Sequence, residues 1–377
     1  MRLKVLGGGP GGLYFAALWK SRHPDDRVHL VEQNPADATW GFGVVFSDRA
    51  LEFLRDDDPD TISLIAPHMR SWRDIVIAHR GEAITIDGVG FSAIGRLELL
   101  GLLQRRAREA GVELELGRTI ASLDELGPCD LVVAADGVNS LARRTLARQL
   151  GASVVCLDAK FVWYGTTKPF DTLTQTFVEN ELGTFNAHHY RYAPGMSTFI
   201  VECDPATWVR AGLDTASEEE SRRICEGVFA VTLQGHPLAS NRSIWRNFPW
   251  VQNERWSHGR VVLIGDALHT AHYSIGSGTR LAMEDALALA RALEAESADL
   301  PVALHRYEAE RRPIVEKLVA ASRLSAAWYE RFPEHMRLSP LDLAMSYIQR
   351  SGRVDAERLR AMAPKFMALY DRSRALS

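Results

Sequence analysis

The sequence predicts an α/β protein: a nucleotide-binding domain on a parallel sheet, interleaved with a β-rich domain and followed by a helical C-terminus. Three observations predict it. Gly7-x-Gly9-x-x-Gly12 lies between a short apolar segment and a helix-like one. Two more short apolar segments, residues 131–134 and 261–264, run into Asp-Gly and Gly-Asp turns, as buried parallel strands do. Between about residues 160 and 203 the chain is aromatic and alternates with the period of two that marks strands.

Taken in order, residues 3–6 read as the first strand and residues 13–21 as the first helix. In the fingerprint, the first glycine permits a tight turn and the second lets backbone approach a pyrophosphate. The third lets helix and strand pack closely, and the helix N-terminus offers free N–H groups to phosphate. A second strand, residues 28–31, ends on Glu32, twenty residues past Gly12. A carboxylate there accepts the hydroxyls of an adenosine ribose and disfavours a 2′-phosphate, so FAD or NAD fits better than NADP.

Residues 75–86 alternate around Gly81 as a hairpin, and residues 96–110 form a helix with leucines at 97, 99, 100, 102 and 103. In the β-rich region, Thr184, Asn186, His188 and Tyr190 share one strand face, and Phe185, Ala187, His189 and Arg191 share the other. Ser217 and Glu220 form a capping box for a helix through about Leu233. From Met283 onward the chain reads as helical, with Pro301, Pro313, Pro340 and Pro364 as helix starts or breaks. The expected division assigns residues 1–71, 96–158 and 255–300 to a discontinuous cofactor domain. Residues 72–95 and 159–254 form the β-rich substrate domain, and residues 301–377 the helical region.

Composition sets the outer limits. The 377 residues suffice for two joined domains, and 46% hydrophobic with 24% charged residues is ordinary globular usage. A net charge of −4 and the lack of any Lys/Arg run give no field for nucleic acid or a membrane surface. Cys129, Cys156, Cys203 and Cys225 lie far apart with no C-x-x-C pair, which argues against a metal site or a disulfide framework. No apolar run nears the roughly 18 residues of a membrane span, and the charged N-terminus is no signal peptide. The expected location is the cytoplasm.

Asp130-Leu-Val-Val-Ala-Ala-Asp136-Gly137-Val-Asn-Ser140, with Arg143 soon after, resembles the "DG" motif of single-component FAD-dependent aromatic hydroxylases, the group A flavoprotein monooxygenases. Val261-Val-Leu-Ile-Gly265-Asp266-Ala267 resembles their "GD" motif, whose aspartate meets the FAD ribityl chain. Arg96 is similar to the family's arginine at the FAD phosphates. With the N-terminal fingerprint, the resemblance covers about residues 1–330. It implies a Rossmann-like FAD domain in a p-hydroxybenzoate hydroxylase-like fold, with FAD bound by Gly7, Gly9, Gly12, Glu32, Arg96, Asp136, Gly265, Asp266, Gly276 and Gly278. It also implies NAD(P)H as reductant, O2 as co-substrate, and oxygen delivered to an aromatic ring from a C4a-hydroperoxyflavin.

After Gly265-Asp266 the family carries a Pro-Pro pair beside the flavin; here His272 and Tyr273 stand instead, before Gly276-Ser277-Gly278. Those replacements, with residues 40–47, 161–166 and 196–203, resemble the branch of salicylyl-CoA 5-hydroxylases, anthraniloyl-CoA monooxygenase and the violacein-pathway tryptophan hydroxylase. Residues 346–367 look more like the aryl-CoA members, so the resemblance implies an aryl-CoA substrate such as salicylyl-CoA. A tryptophan or indole hydroxylase, or a flavin-binding protein without turnover, is the alternative. Aryl-CoA members often carry a reductase-like domain; its absence here would leave that step to another protein or omit it.

A base or acceptor near the ring would raise the substrate's nucleophilicity, and a histidine titrating near neutrality suits that task. The candidates are His188, Tyr190, Tyr164 and His272, with His189 on the opposite face as a control. Arg191, Arg210, Arg222 and Arg246 are candidates for acyl-CoA phosphates. A flavin oxidase or halogenase on the same fold is a further alternative; a halogenase would show a catalytic lysine and a W-x-W-x-I motif, neither of which occurs. A NAD-dependent dehydrogenase would leave Gly265-Asp266 without a role.

Overall fold

The structure, a computed structural model, describes residues 1–47 and 50–375. Its first sheet has six strands in the order Ser257–His258, Val261–Leu263, Leu131–Ala134, Arg2–Leu6, Arg27–Glu32 and Glu113–Leu116. Every neighbouring pair is parallel except the short outer one. Its inner strands are apolar because helices cover it, and Val5, Leu30, Leu131 and Val133 are buried.

The first helix, Pro10–Arg22, starts three residues earlier than expected. Pro10 at its first position has no N–H to lose, and the Leu13 N–H already donates to Gly9 O at 3.0 Å. Part of the glycine run is thus the helix's opening turn. This helix lies between Arg96–Ala110 and Gly278–Ala295, with every residue from Leu13 to Trp19 buried.

A second sheet runs Leu238–Ala239, Ser153–Thr166, Met196–Cys203, Gly183–Ala193, Leu173–Asn180, Ile75–His79 and Glu82–Ile86, with Arg246–Gln252 also paired to Ser153–Thr166. Its register sorts the side chains. Phe161, Trp163, Ile200, Glu202, Asn186, His188, Tyr190 and Gln175 share one face. Val162, Tyr164, Phe199, Val201, Phe185, Ala187 and His189 share the other. We propose that the division into cofactor and substrate units follows these two sheets, with Ser153–Thr166 wholly in the second.

Several elements differ from expectation. Gly43–Ser47, Phe91–Gly95 and Arg70–Trp72 form a small third sheet too short to show a period. The capping box at Ser217 is present, but its helix, Glu218–Val228, stops at Phe229 before a separate turn, Ala230–Leu233. Pro301, Pro340 and Pro364 open helices, whereas Pro313 lies inside Leu300–Tyr329. Buried anchors on both sides of it, Tyr307, Arg311 and Val315, hold the helix through the lost bond. The end of the helical region, residues 376–377, lies outside the described residues. Among the described residues no helix is long and apolar enough to cross a membrane.

Candidate active site

The nucleotide cradle is fixed by close backbone approach. Gly7 has φ +105°, and a Cβ there would meet Ala135 O at 2.3 Å. A Cβ on Gly12 would meet Gly7 O at 2.1 Å, whereas one on Gly9 would meet nothing within 4 Å. Gly9 therefore turns open backbone outward just where Pro10–Arg22 begins without a side-chain cap. Glu32 accepts from Gly8 N–H at 2.6 Å, and from the backbone and side-chain nitrogens of Asn34 at 2.8 and 2.6 Å. Three donors fix that carboxylate in place.

Arg96 donates to Thr39 Oγ1 at 3.1 Å; burial lowers its guanidinium, opposed by the charges of Asp266 and Glu32. Asp266 lies deep in the fold yet keeps an accessible surface, as a residue lining a cleft does. Burial raises its carboxyl, and Arg96 and His269 oppose the shift. Asp136 is divided: Oδ2 accepts from Leu141 and Ala142 N–H at 2.6 and 3.3 Å, while buried Oδ1 has no hydrogen-bond partner among the described residues. Gly265 and Gly276 take left-handed φ of +60°, and Gly278 borders open space at the uncapped start of Gly278–Ala295. Open backbone, an anchored ribose-type acceptor and a cleft carboxylate form a donor set that fits FAD.

Two supports complete this cradle, Arg143 noted in the sequence beside the Asp136 motif and Asp285 not foreseen. Arg143, buried, donates to Ala267 O at 3.0 Å and to Val138 O, tying the Asp136 turn to the Asp266 turn. Asp285 accepts from Gly265 N–H at 3.0 Å and from Arg311 Nε at 2.9 Å, and its Oδ2 lies 2.9 Å from His269 Nε2. Burial would raise this carboxyl; His269 and Arg311 outweigh it and hold it down at about 2. For Asp285 the available hint was the Glu284-Asp285 pair within a largely apolar stretch of its helix.

The proposed ring-binding chamber lies between the second sheet and the C-terminal helices. The His188 and Tyr273 rings stack at 5.7 Å, Tyr273 lies 4.9 Å from Phe161, and His272 lies 4.9 Å from Phe248. Tyr329 and Tyr347 close the helical side, with Arg350 at 3.7 Å from the Tyr347 ring centroid. His272 Nδ1 pairs with Ser274 Oγ at 2.8 Å, which pairs with Ser325 Oγ at 2.7 Å. His188 Nδ1, Gln175 Oε1, Asn186 Oδ1 and both Glu202 oxygens are buried without a well-formed hydrogen bond among the described residues. So many bare polar atoms on one buried face mark a polar ligand surface.

The structure brings His188 and His272 together here and separates them from Tyr164. Tyr164 points to the opposite sheet face, where its hydroxyl pairs with Ser221 Oγ at 3.0 Å under Glu218–Val228; strand parity excludes it from the chamber. Tyr190 shares the face of His188, but its hydroxyl donates to Gly43 O at 2.8 Å. Neither histidine titrates near neutrality: burial lowers both to about 3, so each is a neutral hydrogen-bonding group. His189 faces away, against Phe199 and Thr176. Glu202 and Arg350 were not foreseen, because only the folded register and a distant helix bring them to this face.

Among the phosphate candidates, Arg222 is paired with Glu219 and Glu226. Arg210 borders a recess of about 430 Å³ that is also lined by Glu179, Asp204, Glu330 and Glu334, a poor field for an anion. Arg191 sits opposite Ser197 at the irregular end of its strand. Arg246 is placed differently: with Arg242 it lies over the exposed Trp40 ring, at 5.0 and 4.6 Å, and it pairs in register with Phe161.

Comparison with known proteins agrees with this geometry. Residues 103–322 match the family described as FAD binding domain. The chain is 42% identical over 361 residues to salicyloyl-CoA 5-hydroxylase of a Streptomyces species, covering 93% of this chain and 70% of the relative. It is 39% identical to 3-hydroxy-4-methyl-anthranilyl-[aryl-carrier protein] 5-monooxygenase of Streptosporangium sibiricum, over 89% of this chain and 90% of the relative. With protodeoxyviolaceinate monooxygenase of Chromobacterium violaceum identity is 34%, over 92% and 94%. Among solved structures, a mutant of 2-methyl-3-hydroxypyridine-5-carboxylic acid oxygenase superposes with TM-score 0.73 over 96% of each chain at 17% identity, a likeness of fold. The chain therefore belongs to the FAD binding domain family and is an FAD-dependent aromatic monooxygenase with NAD(P)H as its reductant.

Proposed function

We propose that the protein hydroxylates the ring of an aryl thioester, with salicyloyl-CoA as the leading substrate. The observation that carries this is the pair of relatives at 42% and 39% identity, whose names place the aryl group on CoA and on a carrier protein. FAD would lie against Gly7, Gly9, Gly12, Glu32, Arg96, Asp136, Gly265, Asp266, Gly276 and Gly278, and supplies the redox chemistry that activates O2. The chain's own task is to exclude water and hold the ring in line. Phe161, Phe248 and Tyr273 supply aromatic walls, while neutral His188 and His272 offer hydrogen bonds to the ring substituent.

Trp40, Arg242 and Arg246 offer a place for the phosphate-bearing tail, since a guanidinium held over an indole binds phosphate without losing its stacking. Replacing both arginines by alanine is expected to raise KM for salicyloyl-CoA about tenfold with kcat little changed, the signature of lost uniform binding. Steady-state kinetics beside a thioester lacking the nucleotide end would show it; an equal rise for both thioesters would remove the tail from this surface. His188→Leu is expected to lower hydroxylation about 100-fold while FAD content stays at the wild-type level. Coupled product and flavin assays check that.

The test of function is to follow NADH and NADPH oxidation by the FAD-loaded protein with salicyloyl-CoA, anthraniloyl-CoA and L-tryptophan, analysing products by mass. Gain of one oxygen on a thioester supports the reading. Gain only on tryptophan transfers it to the tryptophan or indole alternative.

A further inference from the structure

Glu202 sits in the chamber's sheet face with no evident task in holding the fold. Its strand, Met196–Cys203, is paired on both sides, so that Glu202 lies across from Phe161 on one and Asn186 on the other. It is 2% exposed, and Tyr273 is its one hydrogen-bonding side chain among the described residues. A buried carboxyl so poorly served is costly, and folding alone gives no reason to keep it.

The titratable and charged groups that face it are few. Tyr273 reaches it from the turn after the Asp266 segment, Arg350 from the end of Pro340–Gln349, and Tyr329 and Glu330 from the end of Leu300–Tyr329. His188 stands on the same sheet face, two positions along from Asn186. Arg350 is engaged elsewhere, donating to Tyr347 O and Ser274 O at 2.7 Å each. Glu330 accepts from Asp158 and Ala159 N–H at 3.0 Å. Tyr329 is hydrogen-bonded to Tyr347, whereas the Tyr273 hydroxyl is hydrogen-bonded to Glu202 and is the group placed to exchange a proton with it. Its ring is part of the chamber wall, and Gly276 and Gly278 follow it closely in the chain.

We propose that Glu202 is the terminal acceptor for the proton of the substrate's phenolic hydroxyl, acting through the hydroxyl of Tyr273. The substrate O–H proton passes to the Tyr273 oxygen as the Tyr273 proton passes to a Glu202 oxygen. The substrate becomes a phenolate and Glu202 a neutral acid, so charge is conserved. A phenolate is the more electron-rich ring and thus the better acceptor of an electrophilic oxygen. Tyr273 touches substrate; Glu202 acts through it and is a positioning residue. Burial raises the Glu202 carboxyl to about 8, so the step runs from its ionised form, whose share grows as pH rises toward that value and which is a stronger base than an ordinary carboxylate. The inference rests on the hydroxylase reading and a phenolic substrate, and is independent of the thioester tail.

The test is the ultraviolet difference spectrum of salicyloyl-CoA, and separately of phenol, bound to the oxidised FAD-loaded protein across pH without NAD(P)H. In wild type the bound phenol is expected to ionise at lower pH than in solution. In Glu202→Gln and Tyr273→Phe the ligands bind within about threefold as tightly but ionise no earlier than when free; Glu202→Asp restores part of the shift. Hydroxylation by Glu202→Gln falls about 100-fold. Because the folded protein holds a proton that the unfolded chain releases at the ordinary glutamate value, wild-type stability falls as pH rises from there to about 8. Glu202→Gln lacks that fall and is expected to melt higher than wild type at pH 8 but alike at pH 5, showing that it is folded. An unchanged ionisation shift in Glu202→Gln, or no shift of phenol in wild type, overturns the proposal. Failure of salicyloyl-CoA alone to bind overturns only the thioester reading.

Discussion

Gly12→Val is expected to leave a protein that retains less than about a tenth of the wild-type FAD after desalting. The valine Cβ would start 2.1 Å from Gly7 O and 3.1 Å from Ala135 Cβ, before its two methyls are placed. The carbonyl cannot withdraw, because Gly7 donates to Val31 O at 2.8 Å and its own α-carbon faces Ala135 O. Helix, first strand and the Asp136 turn therefore meet in contact, and overpacking costs about 1–3 kcal/mol even where neighbours can shift. Gly9→Ala is the informative companion. Its methyl meets no protein atom within 4 Å, so it is expected to melt as wild type does when both are stripped of FAD. The same methyl enters the space assigned to the pyrophosphate, so FAD binding should weaken at least tenfold. Visible flavin absorbance and FAD titration decide both; full FAD retention by Gly12→Val would remove this turn from the cofactor site.

Asp285→Ala is expected to be strongly destabilising. It removes one of the two carboxylates paired with buried Arg311, Glu284 remaining at 2.8 Å, and leaves His269 and Gly265 N–H without that acceptor. Deleting one partner of a buried ion pair costs about 3–5 kcal/mol where the other charge is left alone; with Glu284 still paired to Arg311, the expected loss is at the lower end, about 3 kcal/mol. Denaturant unfolding should show that loss at neutral pH. The carboxyl is depressed in the folded state, so its contribution is complete above the unfolded aspartate value and is lost as pH falls toward about 2. The gap between wild type and variant should therefore narrow on acidification. A gap that stays constant down to acid pH would mean that packing, not charge, makes Asp285 important.

Local chemistry was legible in the sequence; long-range placement was not. The helix at residues 96–110, the hairpin around Gly81 and the capping box at Ser217 depend on neighbours a few positions apart, and the structure shows each. Strand parity put His188 and His189 on opposite faces, which the register repeats. Tyr164 was misplaced because its strand was not phased against Gly183–Ala193. The expectation of a histidine near neutrality failed for another reason: titration follows burial, and burial is a property of the assembled chamber. Glu202 and Arg350 lie 148 positions apart in the chain, and only the packing of the C-terminal helices on the second sheet makes them neighbours.

The order of the first sheet also sets a timetable for biosynthesis. Leu131–Ala134 lies between Arg2–Leu6 and Val261–Leu263, so one edge stays bare until residue 263 has left the ribosome. At about 5–20 residues per second, that delay is on the order of ten seconds. During it the nascent chain exposes an apolar strand edge, the kind of surface that recruits holding chaperones or pairs wrongly. Asp266 and Gly278 emerge later still, so a complete FAD cradle cannot form until most of the chain has been made. Flavin loading is therefore a late event, and FAD supplied as synthesis ends should serve the yield of native protein as well as FAD present throughout.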